Sequence, residues 1–166
     1  MKKTLLVFLM IITSGFLVWC WWSGWSADTQ SAWSWWSDAK VCNGTQCFNV
    51  DIATTVEELQ QWLMGVESMP DDSWMLFVFE NPGIHQFRMK NTLIPLDIIR
   101  LDDQGEVLYV KEYAPPCSAE DSAADDCQLF GPPEGTLASY VLEINANKTR
   151  EVGIYKWSQL DLINVK

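Results

Sequence analysis

Trp74-Met75-Leu76-Phe77-Val78-Phe79 is an unbroken run of large apolar residues. It is too short for a helix of useful length and has no polar residue at alternate positions. It therefore reads as a strand buried on both faces. Upstream, Val41-Cys42-Asn43-Gly44-Thr45-Gln46-Cys47-Phe48-Asn49-Val50-Asp51-Ile52-Ala53 reads as a hairpin, with Asn-Gly at the tight turn. Phe48, Val50 and Ile52 alternate with Asn49 and Asp51, the pattern of a half-buried strand. Between hairpin and apolar run, Thr55-Val56-Glu57-Glu58 matches a capping box. It predicts a helix of about nine residues ending at Gly65, with Val56, Leu59 and Leu63 inward. Downstream, strands are expected at His85–Met89, Ile98–Leu101, Glu106–Tyr113, Tyr140–Ile144 and Asp161–Val165, with Asp102-Asp103-Gln104-Gly105 as a hairpin turn. Many short strands with one helix predict a mainly β fold. The expected form is an antiparallel jelly-roll-like sandwich or open barrel with one short helix laid over it. No internal repeat is visible.

A chain of 166 residues has room for one domain. Lys plus Arg is 11 and Asp plus Glu is 22, a net charge of −11. That balance excludes a nucleic-acid surface, which needs clustered cations, and disfavours a polybasic grip on anionic lipid. His85 is the single histidine, so no multi-histidine metal site can form. No metal or other cofactor is expected.

The first forty residues do not read as domain. Met1-Lys2-Lys3 followed by the apolar run Leu5–Val18 has the build of a secretory signal peptide. It ends Leu17-Val18-Trp19-Cys20, which resembles a bacterial lipobox with Cys20 as the lipidated residue. Trp19 departs from that pattern, where a small residue normally precedes the Cys. The rival reading is an uncleaved apolar stretch from Leu5 to Trp22, at the lower limit for spanning a bilayer. The expected organisation is a signal peptide over 1–19, a tether over 20–39 and a β-rich domain over 40–166. Several acyl chains on Cys20 would hold the protein at the membrane outside the cytoplasm, each buried CH₂ contributing about 0.8 kcal/mol.

The tether is odd as printed. Of the ten Trp in the chain, seven (19, 21, 22, 25, 33, 35 and 36) fall between residues 19 and 36, six of them in the tether, interleaved with Ser and without helical or strand period. With Gly at each Trp position the segment becomes an ordinary flexible Gly/Ser spacer. The expectation is that these Trp stand for UGA codons recoded as glycine, which would also repair the lipobox at position 19. The opposing reading keeps the indoles, as a carbohydrate- or membrane-contacting tail.

Trp62-Leu63-Met64, Trp74-Met75-Leu76-Phe77-Val78-Phe79, Met89-Lys90-Asn91-Thr92, Ile94-Pro95-Leu96-Asp97-Ile98-Ile99 and Val141-Leu142-Glu143 occur in this order. Together they resemble the domain-of-unknown-function 192 family over roughly residues 46–165. The family comprises small exported or membrane-attached proteins. The resemblance implies a β-rich, jelly-roll-like barrel and no established activity. The family pattern has Gly where this chain has Trp62, Trp74 and Trp157, three further sites for recoding. Trp at a position built for Gly would be exposed, strained or poorly packed, and this is expected at all three. Val66 departs from the pattern too, lying near where the family often carries Arg.

Four cysteines remain after Cys20: Cys42, Cys47, Cys117 and Cys127. Outside the cytoplasm an even set favours disulfides, and four allow three connectivities. Proximity alone favours Cys42–Cys47 and Cys117–Cys127. Neither spacing suits a tetrahedral metal site. The ligand-binding candidates marked by the resemblance are Met89, Lys90, Asn91, Thr92, Asp97 and Glu143. Their polar groups would converge at a barrel mouth on a small polar ligand, or else satisfy turns and pair within the sheet. His85 lacks the context of a catalytic base and reads as a surface strand-edge residue. Asp71-Asp72, Asp102-Asp103 and Asp125-Asp126 read as solvated turns, and the sequons at Asn43 and Asn147 carry little meaning in such a protein. The expected function is a non-catalytic envelope module that binds a small ligand or a partner protein. The alternatives are a hydrolase using Asp97 or Glu143 with Lys90, and a structural adaptor.

Overall fold

A computed structural model of the protein describes residues 38–55, 57–58 and 63–165. The signal peptide, Cys20 and the tether up to residue 37 lie outside the described residues, as do Val56, Leu59 and Trp62. The fold is mainly β. Strands β1 (Lys40–Asn43), β2 (Gln46–Ala53), β3 (Ser73–Gly83), β5 (Leu96–Leu101), β6 (Val107–Ala114), β8 (Ala138–Asn145) and β9 (Asp161–Ile163) form one seven-stranded sheet curled into a half-barrel. Its order is β6-β5-β8-β3-β2-β1-β9. A second sheet pairs β4 (Phe87–Arg88) with β7 (Leu129–Phe130). Two short helices, α1 (Ala119–Ala124) and α2 (Lys148–Val152), complete the described elements.

The β1–β2 hairpin forms as expected, but Asn43 is not in its turn. Asn43 pairs with Gln46, and the turn residues are Gly44 and Thr45. Only Gly44 has positive φ (+61°), the pattern of a type II′ turn with Gly first. Asn43 instead donates from Nδ2 to the carbonyls of Val152 (2.8 Å) and Gly153 (3.3 Å), closing the C-terminus of α2. The capping box is realised: Thr55 Oγ1 accepts from Glu58 N–H at 3.2 Å, and Glu58 Oε2 accepts from Thr55 N–H at 3.0 Å.

Two expectations need correction. The sheet is not wholly antiparallel, because β2 and β3 pair in parallel. Parallel neighbours require a crossover of a dozen or more residues, and the connection from 54 to 72 that carries the capped turn is that crossover. A single helix was also too few. α1 lies in the acidic loop, where Ser118 Oγ accepts from Asp121 N–H at 3.0 Å, and α2 lies where a sequon was noted. Six and five residues are too short to show a helical period.

Register sorts the central strands into two faces. Trp74, Leu76, Ile99, Leu101, Leu142 and Ile144 lie on the first, with Val50, Val107, Ile154 and Leu160, as one apolar core. Full burial of each such side chain contributes about 1.5–3 kcal/mol. Trp74 belongs to this core: it is 1% exposed and stacks on Phe48 with ring centroids 3.7 Å apart. It is therefore neither exposed nor loosely packed, because strand alternation puts position 74 on the same face as Leu76. One atom is not accommodated, since the indole Nε1 finds no hydrogen-bond partner among the described residues.

Trp157 is the opposite case. It is 65% exposed with φ +74°. Ser158 N–H donates to the Tyr155 carbonyl at 2.9 Å, so Trp157 is the third residue of a hydrogen-bonded turn. A positive φ there is the type II pattern, which favours Gly. The turn is pinned against β6 by Trp157 N–H to Val107 O (2.8 Å) and Val107 N–H to Ser158 O (2.9 Å).

Candidate functional site

The second face of the same strands is not purely apolar. Two cross-strand rows run over it: Asp51–Met75–Glu143–Ile98–Lys111, and Ala53–Phe77–Val141–Arg100–Tyr109. Directly paired residues share a face, so the rows bring Asp51, Glu143, Arg100 and Lys111 to one side of the sheet. The small β4–β7 sheet lies over the second row. Phe87 meets Phe77 edge-on at 5.2 Å, and Phe130 supplies the carbonyl that Arg100 Nη2 reaches at 2.8 Å.

Arg100 is the centre of this face. It is fully buried, and Nη2 also donates to the His85 carbonyl at 3.1 Å. The rings of Phe87 and Tyr109 each lie 5.7 Å from its guanidinium carbon, close enough for their negative faces to offset part of the lost hydration. Nε and Nη1 find no partner among the described residues. Burial lowers the guanidinium pKa to about 10, so it stays charged at neutral pH. Glu143, 5% exposed, has its carboxyl pushed up to about 8 by burial, with Arg100 pulling the other way. Glu143 is therefore mostly protonated at pH 7. Burial also raises the pKa of Asp51. Lys111 Nζ sits 5.4 Å from the centre of the Phe130 ring.

The candidates read from the sequence have separate settings. Lys90 Nζ pairs with Asp125 at 2.9 Å, and Arg88 reaches the same carboxylate at 3.1 Å. These cations hold the Asp125 pKa below the usual carboxylate range. Asn91 takes φ +55° and donates its N–H to Ser122 Oγ at 3.4 Å, while Thr92 is buried in the turn closed by its N–H to Met89 O. Met89 is buried, and its carbonyl also accepts from Cys117 N–H at 3.2 Å. The Met89–Thr92 segment is thus the seat for the loop closed by Cys117–Cys127, which is disulfide-bonded, as is Cys42–Cys47.

Asp97 is fully buried. Its Oδ1 accepts from Tyr113 N–H at 2.9 Å, and Oδ2 accepts from Thr149 N–H at 3.1 Å and Thr149 Oγ1 at 2.7 Å. Those bonds fix the bulged end of β6 and the start of α2. Of the six candidates, only Glu143 faces Arg100 across the charged face, whereas Lys90 and Asp97 are committed elsewhere. His85 is not on a strand. Its ring stacks on Phe79 at 3.4 Å, and Nε2 donates to Ala138 O at 3.1 Å. Desolvation lowers its pKa, with Arg100 adding to the effect.

Sequence reasoning missed Arg100, Lys111 and Asp51 as members of this face. The signal for Arg100 was present: a cation inside Ile98-Ile99-Arg100-Leu101 must be buried if the strand is. For the other two, neighbours across the sheet had to be known first.

Residues 39–162 match a family of proteins, DUF192, described as an uncharacterized ACR. No curated protein matches. Among solved structures, a putative transcription regulator from Sinorhizobium meliloti 1021 is similar at 24% identity with TM-score 0.64, covering 76% of this chain and 93% of its own. A protein of unknown function from Novosphingobium aromaticivorans DSM 12444 is similar at 27% identity with TM-score 0.62, covering 74% of this chain and 82% of its own.

Proposed function

Given that this chain belongs to the DUF192 family, we propose that it is an exported, lipid-anchored, non-catalytic module that binds a small ligand on the second face of its sheet. The observation that carries the binding reading is Arg100, a buried guanidinium with two nitrogen atoms lacking partners beside a buried carboxyl. Buried donors left unpaired cost about 1–3 kcal/mol each, so a fold that keeps them has a use for them or a hidden acceptor. Export is supported by the two disulfides, which persist in oxidising compartments. Lipid anchoring is supported by the apolar run ending at Cys20. No helix among the described residues is long and apolar enough to cross a membrane. Reading the Trp positions as recoded glycine belongs to the same proposal. The left-handed, exposed Trp157 supports it, and the packed ring of Trp74 weighs against it.

Two measurements test the proposal. Mass spectrometry of the natural protein should find an acylated Cys20 as the first residue and Gly at the printed Trp sites. A free chain beginning at Met1 with intact indoles would end both ideas. A ligand screen by thermal unfolding of the full-length protein should find compounds that raise Tm, since any ligand of the folded state stabilises it. The Arg100→Met substitution should abolish those shifts.

A further inference from the structure

We propose that the face beneath β4 and β7 binds a small monocarboxylate with an apolar body, its carboxylate on Arg100 and its body against Phe87, Tyr109 and Phe130. This rests on the binding-module reading and names its ligand. The charges on the face select one negative charge. Arg100 and Lys111 have no ion pair among the described residues, whose ion pairs all lie elsewhere. Glu143, protonated near neutral pH, offers a hydrogen-bond donor rather than a competing anion, which leaves Asp51 as the remaining acid. Removing a guanidinium from water without a partner is strongly unfavourable, and two carbonyls with two ring faces compensate only in part. A single carboxylate would supply the missing charge and accept from the free N–H groups. A neutral sugar would leave the charge uncompensated, whereas a dianion such as phosphate would bring more charge than the face balances. The walls of Phe87, Tyr109 and Phe130 favour an apolar body.

Access is built into the flap. β4 and β7 contribute two residues each, and two-residue strands are marginal by themselves. What holds them down is Arg100, through His85 O and Phe130 O, and the disulfide-closed loop, through Asp125 to Arg88 and Lys90. Both hydrogen bonds of Arg100 run to backbone carbonyls of the flap region, so displacing the flap would free Nη2 for a ligand.

The test uses full-length protein with benzoate, its neutral isostere benzamide, and inorganic phosphate, read by thermal unfolding and calorimetric titration. Benzoate should raise Tm saturably, while benzamide and phosphate do not. The titratable groups that share this face with Glu143 are Asp51 from β2, Arg100 from β5, and Tyr109 and Lys111 from β6, and Arg100 is the one that acts on its charge. Burial pushes the Glu143 carboxyl up to about 8, with Arg100 pulling the other way. Benzoate should therefore bind about tenfold more weakly at pH 9 than at pH 7, and Glu143→Gln should flatten that profile. This readout does not depend on how well an Arg100 variant folds. Equal response to benzoate and benzamide would overturn the ligand class while leaving the binding module standing. No response to any compound, together with an Arg100→Met protein more stable than the parent, would overturn both. It would mean that the buried cation is only a cost to the fold.

Discussion

At position 157 the side chain and the backbone make opposite demands. Trp157 occupies left-handed space in a type II turn, where a Cβ costs about 1–2 kcal/mol. Its ring is mostly exposed and has one contact of note, Lys156 Nζ at 4.4 Å from the ring centroid. Such a cation–π contact at the surface contributes about 0.5–1 kcal/mol. Trp157→Ala loses the ring contact and keeps the strain. Trp157→Gly loses both, and adds about 0.4–1 kcal/mol of extra unfolded-chain entropy. The informative comparison is therefore Gly against Ala, in which the ring cancels. Gly should be the more stable by about 0.5–1 kcal/mol, net of the entropy term. At an ordinary strand or helix position the order reverses, and Gly is worse than Ala by about 0.5–1 kcal/mol. Urea unfolding of both variants, followed by far-ultraviolet circular dichroism, measures the difference through the midpoint at constant slope. An Ala variant as stable as the Gly variant would refute the strain argument, and with it the best structural support for glycine at this site.

Three further predictions concern the buried polar groups and the cross-links. Asp97→Ala should destabilise the fold by about 3–5 kcal/mol in urea unfolding, because Tyr113 N–H and both donors of Thr149 lose their acceptor. Asp97→Asn should cost less, since it keeps one acceptor oxygen. Glu143 has a folded pKa of about 8, above its ordinary value of 4.5, so the folded state binds the extra proton between those pH values. Its contribution to stability should then be fully present below about pH 4.5 and lost as pH rises through 8. Glu143→Gln should gain on the parent steadily from pH 5 to pH 8.5, and parallel curves would show that Glu143 ionises against Arg100 instead. Removing the Cys117–Cys127 bridge by paired Ser substitutions should cost about 3 kcal/mol, and removing Cys42–Cys47 about 2 kcal/mol, from the lengths of the loops they close. The first should also loosen the flap, visible as faster hydrogen exchange at Phe87 and Phe130, while the second leaves the flap unchanged.

How much was legible depends on the range of the signal. The run from Trp74 to Phe79, the alternation of Phe48, Val50 and Ile52, the Thr55 capping box and the Asp102–Gly105 turn act over a few residues, and each is found where expected. Gly105 illustrates why such signals are reliable. It takes φ +86°, and a Cβ there would lie 2.3 Å from the Leu160 carbonyl oxygen. Cysteine proximity likewise anticipated both disulfides. The six-residue α1 and five-residue α2 escaped, because their stability comes from the Ser118 cap, the disulfide and Asn43 rather than from any periodic apolar face.

By itself, then, the sequence determined a mainly β domain preceded by a tail of different character, since hydrophobic period and turn chemistry are local properties of the chain. Only the tertiary structure decided that β2 and β3 run parallel, that Lys90 and Asp97 serve the loop and α2, and that Arg100, Glu143, Asp51 and Lys111 share a face. The physical reason is that a side chain's charge state and partners depend on strand order and register. These bring residues from 51 to 143 side by side, and no spacing within one strand encodes that neighbourhood.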